Sequence, residues 1–84
     1  MPYIRSDRRD AVRPVMRPVL AETAGELNFQ ITSLLLAFLA THGRTYPTLN
    51  AISGACTEAL AEFRRRVIVP YEDERRALYG DVYP

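Results

Sequence analysis

The stretch from Thr48 to Pro70, TLNAISGACTEALAEFRRRVIVP, constrains this chain more than any other. Leu49, Ile52, Cys56, Ala59 with Leu60, Phe63 and Val67 recur at steps of three and four, which lays one apolar stripe along a helix. At about 1.5 Å per residue that helix would be roughly 33 Å long, the diameter of a small domain. Its stripe needs a second helix to cover it. Its last turn carries Arg64, Arg65 and Arg66, the densest charge in the chain, and Pro70 should end or kink it.

The covering helix is legible upstream. Thr23-Ala24-Gly25-Glu26 fits the reciprocal capping pattern, in which the threonine oxygen and the glutamate each satisfy a free amide. From Ala24, a main stripe runs through Leu27, Ile31, Leu34, Leu35 and Phe38, while Phe29, Leu36 and Leu39 add a second greasy side. A helix apolar over that much of its girth needs more than one partner. Gly43 should stop it, with His42 in the final turn. A loop over Arg44 to Pro47 follows, with Thr45 or Thr48 capping the long helix, and so short a connection sets the two helices antiparallel. Within the long helix, Ser53, Gly54 and Ala55 make a small-residue patch.

The ends are less regular. Residues 1–5 read as an extended arm, with Tyr3 and Ile4 as contacts for a neighbour. A short helix starts near Ser6, capped by Ser6 or Asp7 with Asp10 in its first turn. Pro14 and Pro18, in RPVM and RPVL, would end that helix near Arg13 and start another near Pro18, or kink a single one. Beyond Pro70, acids Glu72 to Glu74 precede Arg75 and Arg76, matching the dipole of a short helix that Gly80 terminates. Residues 80–84 form a tail. The fold class is therefore all-α: one small domain over residues 1–84, an antiparallel helical hairpin with short N- and C-terminal helices.

Eighty-four residues bury a thin core, about 60–65% of the unfolded surface. One cysteine excludes an intrachain disulfide, and one histidine leaves no thiolate–imidazole metal cluster. Self-association is the remaining support for a chain this small, so a homo-oligomer is expected. The net charge of +1 supplies no field toward nucleic acid or membrane, and duplex nucleic acid is not expected as a partner. All eleven basic residues are arginine, which fits either GC-rich codon usage or a need for forked contacts to carboxylate or phosphate. No run approaches the ~20 apolar residues of a membrane span. MPYIRSDRRD lacks the apolar core of a secretory signal, and a cytoplasmic location is expected.

The chemistry-bearing residues are few. Arg64, Arg65 and Arg66 fan around the helix at 100° intervals, so no single claw results. Glu62 lies three and four residues before Arg65 and Arg66, in the favourable acid-first order. The triplet reads either as a solvated, salt-bridged face or as an anion site completed by a neighbouring subunit or by Arg5, Arg8 and Arg9. Tyr46, Tyr71, Tyr79 and Tyr83 could stack on a base or anchor an interface. Asn28 either satisfies nearby backbone groups or points into a pocket. Glu22 with Glu26 and Glu58 with Glu62 miss the E-E-x-x-E and E-x-x-D spacing by which all-α nucleotide pyrophosphohydrolases hold magnesium. Cys56 sits on the apolar stripe without a neighbouring base. No catalytic residue, metal or cofactor is expected, and the chain reads as a non-enzyme.

Several motifs together resemble a family of short proteins of phages and bacteria. The matching stretches are Met1 to Ile4, Gly25 to Phe29 with Ile31 and Thr32, Leu49-Asn50, Glu62 to Val67, Pro70 to Asp73 and Gly80 to Tyr83. Arg64 stands where that family's pattern usually has tyrosine. The resemblance implies a small phage-type helical protein without assigned catalytic residues. It places Glu62, Arg65, Arg66, Tyr71, Glu72 and Asp73 near one end of the long helix. The expected function is to bind an anionic or nucleotide-like small molecule between subunits, at a site of Arg64, Arg65, Arg66, Glu62, Tyr71 and Asn28. Sequestration of host signalling nucleotides is one form this could take. The alternative is a structural or protein-binding accessory with no small ligand.

Overall fold

The computed structural model describes residues 3–14 and 21–84. Among these residues the regular structure is entirely helical: α1 (Ser6–Val12), α2 (Ala24–His42), α3 (Tyr46–Phe63), a π-helical turn (Arg64–Ile68) and α4 (Val69–Tyr79). The chain divides into two units, one ending at Ser53 and one running Gly54–Pro84. The dividing point falls within α3.

α1 starts where the serine suggested but is capped differently. Arg5 occupies the cap position and makes no side-chain cap bond. Instead its guanidinium holds Asp7 in the first turn through bonds of 2.7 and 3.1 Å, and this bond holds the Asp7 carboxyl below its ordinary value. The second helix expected near Pro18 lies outside the described residues.

α2 begins and ends as its flanking residues dictate. Thr23 is extended, and its Oγ1 accepts the Glu26 amide at 3.1 Å. The other half of the pattern is altered: the threonine hydroxyl donates to Glu26 Oε2 at 3.0 Å, so the glutamate engages the capping side chain. Gly43 stops the helix at φ 86° and ψ 162°, a region that only glycine enters without strain. Its amide donates to the Leu39 carbonyl at 2.8 Å, and the His42 ring leans on Phe38 with centroids 4.3 Å apart.

α3 starts at Tyr46, which selects the first of the two expected caps and begins the helix ahead of the expected span from residue 48. Thr45 is the cap: its Oγ1 accepts the Thr48 amide at 3.4 Å and donates to Thr48 Oγ1 at 3.1 Å. Thr48 is buried, and Pro47 sits in the first turn, where an amide hydrogen is not needed.

A larger correction falls at Pro70: of the two outcomes expected there, an end or a kink, the helix does not end. Helical structure runs without interruption from Tyr46 to Tyr79, and the expected short C-terminal helix is its continuation. A proline ring collides with the carbonyl four residues back and leaves that carbonyl without a donor. The π turn immediately before Pro70 relieves the collision by widening the ladder, with the Val69 amide reaching back five residues to the Arg64 carbonyl. Such turns are rare and short. This one coincides with the arginine triplet.

No apolar side chain among the described residues is buried. On α2 the greasiest positions stand open, Phe29 at 72% and Leu34 at 66% exposure, while Leu35 and Leu39 are half-buried. Cys56 and Ile52, on the stripe of α3, are also half-buried. No helix among the described residues is long and apolar enough to cross a membrane.

Candidate functional site

The π turn sets the arginines. Because it holds an extra residue per turn, Arg64, Arg65 and Arg66 spread over the widened segment directly after α3. Glu62, on the last turn of α3, is half-buried, with 18% of its side chain exposed, and accepts a bond from the Arg65 guanidinium at Oε1. Arg65 is therefore partly neutralised, in the acid-first order the sequence indicated. Arg64 and Arg66 make no ion pair among the described residues. Both are exposed.

Tyr71, one turn further on, is engaged. The Arg75 guanidinium lies 4.9 Å from its ring centroid and 6.0 Å from that of Tyr79. An arginine four residues after one tyrosine and four before another meets both rings, an arrangement worth about 0.5–1 kcal/mol per contact at an exposed site. Below this stack the tail folds back. Arg76 pairs with Asp73 at 3.5 Å and Asp81 at 3.8 Å, while Asp81 Oδ1 accepts the Tyr83 amide at 3.0 Å. The result is an open groove of about 610 Å³ lined by Val69, Asp73, Arg76, Tyr79, Asp81 and Tyr83, among others.

Five of the six expected site residues, Glu62, Arg64, Arg65, Arg66 and Tyr71, thus fall on one continuous run of helix within the second unit. Asn28 is on α2 in the first unit, and its Oδ1 accepts the Thr32 hydroxyl at 3.1 Å. The sequence marks Tyr79 as an aromatic able to stack and Arg75 and Arg76 as dipole partners, but does not join them, or Asp81, to the site. The signal for joining Arg75 and Tyr79 was present, since Tyr71, Arg75 and Tyr79 are spaced four apart on a helix. The Arg76–Asp81 pair spans Gly80, whose φ of 87° turns the chain back toward the helix it leaves. Among the described residues, no three of the His, Cys, Asp or Glu side chains group closely enough to hold a metal ion.

These features define a class: a small, all-helical protein with an arginine-bearing π turn and an uncovered apolar helix. The chain belongs to the family described as Domain of unknown function (DUF6899), whose model matches residues 1–82. No curated protein and no solved structure matches it.

Proposed function

We propose that this protein is a non-enzymatic, homo-oligomeric binder of an anionic small molecule, with the π turn as its binding element. The observation that carries the reading is the pair of guanidiniums, Arg64 and Arg66, without an acidic partner among the described residues, flanking an Arg65 already matched to Glu62. Planar forks that no carboxylate occupies suit a phosphate or carboxylate, which they bind in bidentate fashion. The family carries no assigned function, so this reading rests on the residues alone.

In the assembled form, α2 and residues 48–69 act as an antiparallel hairpin, and a neighbouring copy completes the anion site. Tyr71, held by Arg75, offers a ring face for a nucleotide base. A phage-type protein of this kind would take up a signalling nucleotide in the host cytoplasm. The exposed apolar side chains also favour a second reading, in which the protein is a structural accessory and its charged turn is simply solvated.

Thermal melting against a panel of cyclic and linear nucleotides separates the two. The binder should gain several degrees with at least one member of the panel, because a ligand at about 100 times its Kd adds about 2.7 kcal/mol. The double variant Arg64→Gln/Arg66→Gln should lose that gain while keeping its solution mass. A flat response across the panel, from a protein that assembles normally, would leave only the accessory role.

A further inference from the structure

The longest stretch of α2 has no charge at all. Residues 27–41, LNFQITSLLLAFLAT, contain no Asp, Glu, Lys, Arg or His. Four of its large side chains, Leu27, Ile31, Leu34 and Phe38, are spaced 4-3-4 and all are exposed, the spacing of a seam that packs knobs into the holes of a second helix. The polar side chains between them are already satisfied at home. The Ser33 hydroxyl donates to the Phe29 carbonyl at 2.9 Å, that of Thr41 to the Ala37 carbonyl at 2.9 Å, and that of Thr32 to Asn28 Oδ1 at 3.1 Å. Hydroxyls that donate within their own helix can leave water at little cost. The helix is thus chemically ready to be covered.

What covers it follows from the charges at its two ends. Glu22 and Glu26 lie at the N-terminal end of α2, Arg44 just past its C-terminal end. A second copy running antiparallel sets the acids of each helix beside Arg44 of the other and aligns the two dipoles favourably. With Ile31 opposite Leu34 of that copy, Leu27 falls opposite Phe38, and the seam is self-complementary, as a two-fold interface must be. A parallel copy would set acid against acid. A charged foreign segment would find no counter-charge over the fifteen central residues.

We infer that the seam of Leu27, Ile31, Leu34 and Phe38 is a two-fold interface at which α2 of one copy packs antiparallel against α2 of another. This rests on the self-association proposed above and specifies its surface. It is independent of any anion. Uncovered, all four seam side chains are more than 40% exposed, Leu34 the most at 66%, and they would form the centre of a patch of about 800 Å² per partner.

The test is disulfide trapping in the full-length chain on a Cys56→Ser background, with sedimentation velocity alongside. Leu27→Cys/Phe38→Cys should give covalent dimers on mild oxidation, whereas Leu27→Cys alone should not, its two thiols being about eleven residues apart along the pair, roughly 16 Å. Leu34→Glu should reduce the oligomer to a smaller species by at least tenfold in dissociation constant. Crosslinking of Leu27→Cys alone would overturn the antiparallel arrangement. An assembly of normal mass that neither traps nor responds to Leu34→Glu would overturn this interface and leave self-association standing. A monomer at all concentrations, or a mass explained by a co-purifying protein seated on α2, would overturn both.

Discussion

α2 and the run from Glu62 to Tyr79 are similar in length and opposite in chemistry. α2 keeps its polar bonds inside itself, from Ser33, Thr32 and Thr41 to acceptors one turn back, and turns apolar groups outward. The later run also pairs within itself, but through exposed arginines, in Arg65–Glu62, Arg76–Asp73 and the Arg75 stack on Tyr71. A helix that satisfies its own hydroxyls is suited to dry contact with protein. One that presents unpaired guanidiniums is suited to water and ions. In the reading proposed above, assembly and ligand chemistry fall on different elements, so the two can be perturbed one at a time.

The strongest perturbation of the charged run is Pro70→Ala. It removes the ring that the π turn accommodates and restores an amide, so the helix should tighten and the protein gain about 1–3 kcal/mol in chemical denaturation at fixed concentration. Any anion-dependent stabilisation should fall with it, because the arginines would be redistributed around a narrower turn. On the apolar side, Gly43→Ala forces a φ of 86° on a residue with a Cβ. It should cost about 1–3 kcal/mol by the same measurement, even though nothing lies within 4 Å of the added carbon. Thr23→Ala removes the cap of α2 and should cost about 1 kcal/mol, with faster amide exchange confined to the first turn of that helix. The smallest effect belongs to Glu62→Gln, at about 0.5 kcal/mol. Its use is in the comparison: Arg65 is released, so anion affinity should rise while the solution mass stays fixed. A rise in mass would show that the two chemistries are coupled.

α2 was legible almost residue by residue, because a threonine cap, a glutamate three positions on and a terminal glycine are local signals that need no tertiary context. At the beginning of α3 the sequence offers two caps, Thr45 and Thr48, because Pro47 tolerates either frame, and the structure uses the first. That Pro70 does not end the helix was hidden for a physical reason. Periodicity counts in steps of three and four, and a π turn with its step of five has no composition of its own. The fold of the tail was likewise hidden, because the Arg76–Asp81 pair depends on the backbone angles of Gly80. Of the candidate site, the arginine triplet and its acid partner could be read directly. The tyrosine–arginine–tyrosine stack is written at a helical spacing, but whether the three side chains meet depends on their rotamers, which sequence does not fix.

The π turn also acts as a single-letter insertion in an otherwise regular screw. Past Ile68, every side chain is swung by about 100° from the bearing that counting forward from Cys56 and Phe63 would assign. Tyr71, Arg75 and Tyr79 consequently look in a direction that the stripe of α3 does not predict. Removing one residue between Arg64 and Ile68 would swing that trio around the axis without touching any of its atoms, much as a shortened linker re-aims an instrument mounted at its far end.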